Sequence, residues 1–272
     1  VHGTAALRPW VAQVWACARP DAPPAHAREH SLPSGAMHLT VRLDGPPLRI
    51  YTGAADRQGR GYSVATVGGV RAGYCIKDTA RPAASVGAVL RPGAALALFG
   101  VSAAELADGH VDLADLCGHE AELLYERLAA DADLGRRRAL LLAFLEARLR
   151  RARGRRGLDP QIVQALACVQ RAPADTDVAA LADACGRSHR RFIAGFRDVA
   201  GLAPKRYARV LRFQRLLAAL AATPRPGWAQ LALDAGYFDQ SHLIREFREF
   251  AGVSPREYAA RAPASPNHLP LS

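Results

Sequence analysis

A duplication constrains this chain more than any other feature. Phe192, Phe196, Gly201, Pro204 and Tyr207 recur further on as Leu243, Phe247, Gly252, Pro255 and Tyr258, with every spacing kept. Upstream, Leu181-Ala182 before Gly186 matches Leu231-Ala232 before Gly236. The second connection is one residue longer, so Ser188 corresponds to Asp239. Both are good N-cap residues, whose side-chain oxygen can accept from an unpaired N–H of the first helical turn. A spaced match of this length marks a structural unit written twice.

Each copy reads as a short helix, a glycine turn and a second helix. In the first, Val178, Leu181 and Ala182 form an apolar stripe and Gly186 permits the sharp turn. The second helix starts at Ser188 and turns Phe192, Phe196 and Val199 inward, at i, i+4 and i+7. Gly201 stops it and Pro204 opens the next helix. The second copy turns in Leu243, Phe247 and Phe250 and stops at Gly252, after which Ser254-Pro255-Arg256-Glu257 reads as a capping box with proline at the first helical position. Helix, glycine turn, helix is the pattern in which a second helix enters a DNA major groove.

The outward faces carry the chemistry. Arg190, Ala194 and Arg197 lie opposite the first buried stripe, flanked by Arg187 and Arg191. Ser241, Arg245 and Arg248 lie opposite the second, with Gln240 at its start. Arginine can fork onto guanine and glutamine onto adenine. A single charged helix face is ordinarily just solvated; two equivalent faces on paired units favour DNA reading. Base reading is expected from Arg190, Arg191, Gln240, Ser241 and Arg245. Phosphate contact is expected from Arg187, Ser188, Arg197, Lys205, Arg206, Arg209 and Arg248. Between the units, residues 204–222 give an uninterrupted helical pattern, with Tyr207, Leu211, Gln214, Leu217 and Ala218 as the expected inner face. A rigid connector would set two reading heads about one DNA turn (~34 Å) apart.

Residues 158–261 resemble the DNA-binding domain of the AraC/XylS transcription regulators. The resemblance rests on Ala235-Gly236-Tyr237-Phe238-Asp239-Gln240-Ser241-His242-Leu243-Ile244-Arg245-Glu246-Phe247, followed by Gly252-Val253-Ser254-Pro255. It implies a helical domain with two helix-turn-helix units that reads double-stranded DNA through the faces above. Ile193-Ala194-Gly195 departs from the polar or basic residues common there in the family, which shifts specificity towards Gln240, Ser241 and Arg245.

Composition bounds the rest. With 272 residues, 50% of them hydrophobic, the chain can bury two cores. The net charge of +11 is uneven. It is about −2 over residues 1–134, about +8 over 135–157 and about +5 over 158–272. Polyanion binding is thereby assigned to the later part. Five cysteines (Cys17, Cys75, Cys117, Cys168, Cys185) make no CxxC pair, which suits free thiols in a reducing compartment. No stretch approaches the ~18 apolar residues of a membrane span, and no leader is visible. The expectation is a cytoplasmic protein without membrane contact.

Residues 1–36 hold Trp10, Val11, Val14 and Trp15, then a proline-rich stretch in which His26 and His30 read as loop residues. From Met37 the pattern alternates with period two. Residues 38–43, 48–51, 62–67, 72–76 and 86–90 read as short strands between glycine-rich turns, which argues for a small antiparallel sandwich or barrel. Helical patterns follow at 94–99, 102–106 and 119–128. The region, residues 86–94 above all, resembles the cupin-like sensing domain of some regulators in the same family. With His38, His110 and His119 scattered, no metal cage is expected, and any ligand cavity is expected to be apolar with a few polar groups. Tyr51, Tyr62, Tyr74 and Arg91 are the candidate polar groups.

The fold class is therefore α+β. Residues 1–134 are a β-rich sensing domain with flanking helices, 135–157 a basic amphipathic linker helix, 158–262 the double helix-turn-helix domain, and 263–272 a disordered tail. The linker stripe of Leu140, Leu141, Phe144, Leu145 and Leu149 could pair with a second copy or pack on its own sheet. No cofactor or metal and no catalytic residue is expected. Partners are DNA, with RNA polymerase, a small-molecule effector and a homodimer left open. The alternatives are an alkyl-transfer DNA-repair protein, with Cys117 beside His119 as the one thiol near a base, and a non-specific architectural DNA protein.

Overall fold

The computed structural model of the chain describes residues 4–22, 26–53, 55–152, 157–222, 227–261, 263 and 265–271. The N-terminal half is built on two antiparallel sheets. Sheet A has the order β1-β8-β3-β6-β9, from β1 (Val11–Cys17), β8 (Ser85–Leu90), β3 (Met37–Arg42), β6 (Ala65–Gly68) and β9 (His110–Asp112). Sheet B has the order β10-β2-β7-β4-β5, from β10 (His268–Leu271), β2 (Arg28–Ser31), β7 (Cys75–Asp78), β4 (Arg49–Tyr51) and β5 (Arg60–Gly61). The expected alternation is cleanest in β3, where Met37, Leu39 and Val41 are buried.

Helices α1 (Ala103–Leu106), α2 (Leu113–Cys117), α3 (His119–Ala129) and α4 (Leu134–Arg151) follow, preceded by a π-helical turn at Ala95–Phe99. Ser102 and Glu105 close a capping box on α1, and Asp133 caps α4 through the N–H of Arg136 at 2.7 Å. The α4 stripe packs on its own domain, against β1 and β8, with Leu141 and Leu145 fully buried. That face is consequently closed to a second copy. Arg148 donates to the carbonyl of Leu98 (3.1 Å) and pairs with Glu120, as does Arg151. The helix expected as a linker is thus tied to the sheet domain. The end of the basic run, residues 153–156, lies outside the described residues.

The C-terminal domain contains α5 (Pro160–Arg171), α6 (Val178–Ala184), α7 (His189–Ala200), α8 (Pro204–Ala222), α9 (Trp228–Asp234), α10 (Gln240–Ala251) and α11 (Pro255–Arg261). The two copies are α6–α7 and α9–α10. Gly201 (φ 83°) and Gly252 (φ 74°) end α7 and α10 in the left-handed region, where a Cβ is disfavoured. Asp239 caps α10 (2.6 Å to the N–H of His242), whereas the equivalent Ser188 makes no side-chain cap bond. The capping box between Ser254 and Glu257 is formed.

The connector α8 buries more than one stripe. Beyond Tyr207 and Leu217 it buries Val210, Phe213, Leu216 and Leu220, while Ala218 is exposed and Leu211 and Gln214 are half-buried. The cause is its position between the two units. Tyr207 meets Phe196 of the first edge-on at 5.9 Å, and Phe213 meets Phe247 and Phe250 of the second, each at 5.2 Å.

Within the tail, His268–Leu271 form a strand, which corrects the expectation of disorder there. β10 pairs antiparallel with β2 from His268↔Ser31 to Leu271↔Arg28, and Leu269 is fully buried. A strand after the last helix therefore completes the edge of an N-terminal sheet. Pro-rich composition hid it, because an edge strand tolerates proline where a central one does not. No helix among the described residues is long and apolar enough to cross a membrane.

One buried charge ties the second unit to the connector. Glu246 on α10 is 2% exposed and accepts from Arg209 (2.6 Å) and from Arg212 (2.7 and 2.9 Å) on α8. Breaking a buried ion pair by removing one partner costs about 3–5 kcal/mol, because the remaining charge loses its compensation. Glu246→Gln is expected to fall at the low end, about 3 kcal/mol, since Arg209 keeps some solvent and Glu249. Denaturant unfolding of the variant against the parent measures it.

Candidate nucleic-acid interface and ligand cavity

Burial of the apolar stripes turns the remaining faces of α7 and α10 outward. Phe192, Phe196, Leu243 and Phe247 are fully buried. Arg190, Arg191, Ser241 and Arg245 are exposed and Gln240 is half-buried, so all five expected base readers sit at the N-terminal halves of the two helices. Helix-turn-helix proteins present that end to base edges. Gly195 occupies the position that Glu246 has in α10. A Cβ there would lie 3.3 Å from the side chain of Ile162 on α5, so close helix packing explains this part of the departure in the first unit.

The expected phosphate set divides. Ser188, Arg197, Lys205 and Arg248 are exposed, and no acidic side chain among the described residues pairs with Arg197, Lys205 or Arg248. Arg187 is paired with Asp159. Arg206 pairs with Glu249 and donates to the carbonyl of Ala72 at 2.6 Å. Arg209 is shared between Glu246 and Glu249, and both of these connector arginines lie near the ring of Phe250. Charge and helical position alone suggested phosphate contacts for these three, but the domain's own carboxylates hold them. Phe238, which sequence reasoning passed over, is 86% exposed directly before the N-cap of α10. This aromatic was visible in the sequence as an apolar residue outside the buried stripe, in the connection before α10.

The opposite ends of the same helices meet the sheet domain. The N–H of Gly93 donates to the carbonyl of Val199 (2.8 Å) and Ser102 to Asp198 (2.7 Å), both on α7. His30 on β2 is buried, with Nδ1 donating to the carbonyl of Ala251 at the end of α10 (2.8 Å) and its ring stacked on Tyr74 (4.2 Å). His30 is therefore a strand residue at an interdomain contact, not a loop residue.

Between the two sheets lies a cavity of about 890 Å³. Its walls are apolar over most of their area, as expected, but carry more polar groups than the few expected. The apolar side of sheet A faces outward to helices, so the inward side carries Gln13, Trp15, His38, Thr40, Arg42 and His110, while sheet B supplies Glu29, Cys75 and Lys77. The four polar candidates lie elsewhere: Tyr51 donates to Asp78 (3.0 Å) outside the lining, Tyr62 stands beside His110 at its rim, Tyr74 stacks on His30, and Arg91 is exposed. Burial raises the Glu29 carboxyl, but the hydrogen bond from His268 and the charge of Lys77 (2.7 Å) outweigh it and hold the group at about 2. Burial also pulls His38 and His110 down to about 4 each, with help from nearby Lys77 and, at His110, from Arg71. Solvent reaches His38 only through this cavity, which reconciles its accessible surface with its dense protein surroundings. No group of three potential metal ligands occurs among the described residues. Burial pushes the Cys117 thiol up, away from the thiolate that alkyl transfer needs.

Two families match this chain. One, described as "Helix-turn-helix domain", covers residues 181–261, and the other, "Domain of unknown function (DUF6597)", covers residues 1–112. No curated protein matches. Among solved structures, the C-terminal domain of AraT, a response regulator from Geobacillus stearothermophilus, aligns at 21% identity over 38% of this chain and 86% of its own, with a TM-score of 0.35. A transcriptional regulator with an AraC-type DNA-binding domain from Chromobacterium violaceum aligns at 23% over 39% and 94%, with a TM-score of 0.34. ToxT from Vibrio cholerae aligns at 8% over 93% and 98%, with a TM-score of 0.47. Likenesses of this strength bear no weight on function.

The cavity histidines fix a pH dependence. Their folded titration points lie below the ordinary 6.5, so between pH 6.5 and 4 the unfolded chain binds more protons than the folded one. Stability from this source is present above pH 6.5 and is lost as pH falls towards 4. Thermal unfolding from pH 7 to 4 is expected to show that decline, and His110→Asn to reduce its slope.

Proposed function

Taking residues 181–261 as a helix-turn-helix domain of the AraC type, we propose that this DNA-binding transcription regulator reads one specific duplex site with both α7 and α10. The sheet domain responds to a small-molecule effector held in the cavity between its sheets. One observation carries the reading: the N-terminal halves of two matched helices present exposed arginine and serine and a half-buried glutamine, while their C-terminal ends are held by the sheet domain. A non-specific architectural protein has no need of such unlike reading faces.

In this reading Arg190 and Arg191 serve the first groove segment, and Gln240, Ser241 and Arg245 the second, with more of the discrimination. Phe238 supplies apolar contact of the kind a thymine methyl accepts. Ser188, Arg197, Lys205 and Arg248 supply salt-dependent phosphate contact. Arg187, Arg206 and Arg209 act inside the protein, holding elements in register. RNA polymerase and a second copy, docked elsewhere than on α4, are further partners the reading admits. No catalytic step enters it.

Footprinting on selected sites is expected to protect two segments one helical turn apart. Arg245→Ala is expected to weaken specific binding by ~1–3 kcal/mol and to relax preference at one base position. Phe238→Ala is expected to lose preference at a neighbouring position, whereas Arg248→Ala should weaken all sequences alike and lower the salt slope by about one. Equal loss on specific and random DNA for Arg245→Ala would refute its base-reading role.

A further inference from the structure

Among the described residues, one cation of the cavity has a buried nitrogen left without a hydrogen-bond partner. Arg71, in the loop between β6 and β7, lines the cavity. Among the described residues no carboxylate pairs with it, and its Nε is buried without a hydrogen-bond partner. Nδ1 of His110 is buried and unpartnered in the same way, and it feels the Arg71 charge. The cavity's acids are engaged elsewhere. Glu29 is held by Lys77 (2.7 Å) and His268 (2.6 Å), and Asp78 accepts from Tyr51 (3.0 Å). A buried guanidinium nitrogen without a partner is costly, and the group's planar fork matches a carboxylate or phosphate better than any neutral group.

The walls that carry this site also touch both reading helices. On β2, Glu29 and Ser31 face the cavity, and His30 between them faces the other way, onto the Ala251 carbonyl beside the α10 cap glycine. In the β6–β7 loop, Gly69 and Arg71 face the cavity. Val70 between them packs against Gly201, the α7 cap glycine, where a Cβ would lie 3.1 Å from it. The next residue, Ala72, accepts from Arg206 at the base of α8. The rim is completed from the far end of the chain by Ser265, Asn267 and His268, and Asn267 accepts from Gln214 of α8 at 2.8 Å.

We propose that this cavity binds a small organic anion, its acidic group taken by Arg71 and His110, and that occupancy is felt at both recognition helices through Val70 and His30. The proposal deepens the effector reading and rests on it for its consequence, though not for the binding itself. Ordering Arg71 against an anion draws in the loop that carries Val70. Displacement along β2 moves His30, so the two equivalent cap glycines shift together.

Calorimetry and thermal unfolding of the full chain with benzoate, phenyl phosphate and neutral benzamide test the site. At least one of the two anions is expected to bind and stabilise, and benzamide is not; the tighter anion assigns a carboxylate or a phosphate. Arg71→Gln, its fold checked by circular dichroism, is expected to lose roughly tenfold or more in affinity, and Arg71→Lys to lose less. Equal binding of benzamide, unchanged affinity in Arg71→Gln, or binding of neither anion at 10 millimolar (roughly the weakest useful affinity) overturns the site. DNA binding is measured separately. Anion binding without any DNA binding leaves the site standing and removes the regulator reading, and DNA binding without anion binding does the reverse. If the anion changes DNA affinity in the parent, Val70→Ala and His30→Ala are expected to reduce that change while still binding the anion. No change in the parent, or an undiminished one in both variants, overturns the transmission.

Discussion

A buried carboxylate with two arginines on it holds the second reading head in place. Glu246 accepts from Arg209 and Arg212, so α10 cannot rotate on α8 without uncovering an uncompensated charge. Hydrophobic packing of Phe213 against Phe247 and Phe250 supplies attraction but little direction. The ion cluster supplies the direction, and with it the presentation of Arg245, the exposed neighbour of Glu246. Arg212 also lies over the ring of Tyr237 (4.4 Å) and donates to the carbonyl of Gly236, so the same side chain braces the turn before α10.

The first unit reaches a comparable rigidity by different means. Where α10 has Glu246, α7 has Gly195, pressed close to Ile162 of α5. Where α10 has Glu249 on Arg206 and Arg209, α7 has Asp198 accepting from Ser102 of the sheet domain. One head is thus braced mainly from within its own domain and the other more from across the domain boundary. Duplication kept the apolar spacing, which sets the fold, and let the polar bracing diverge.

Elements with strong local signals were legible in the sequence. The paired helices, both cap glycines, the capping box at Ser254 and the alternation of β3 all follow from short-range chemistry. So does the exposure of Arg190, Arg191, Ser241 and Arg245, which the buried stripe leaves outside. Less legible was anything decided by distant partners. β10 pairs with β2 across the length of the chain, and nothing near His268 announces it. Arg206 and Arg209 look like free cations until Glu246 and Glu249 are brought beside them. The polar groups of the cavity were not legible because period two tells which residues alternate, not which side faces a helix layer. In sheet A the apolar side has the helices, so the polar side is left lining the interior.

The interdomain contacts have a geometric consequence that composition could not suggest. A recognition helix held by the sheet domain at its C-terminal end acts as a lever on its reading end, within the bracing that ties it to the connector. Both helices are held close to their cap glycines, at Val199 two residues before Gly201 and at Ala251 one residue before Gly252. Packed interfaces respond to small shifts by moving between discrete arrangements rather than deforming continuously. A sheet domain that grips two levers close to their cap glycines can therefore change their relative aim while leaving each reading face intact. The strand contributed by the tail ties the far end of the DNA-binding domain back into the same sheet, so neither domain can swing away independently without unpairing β10.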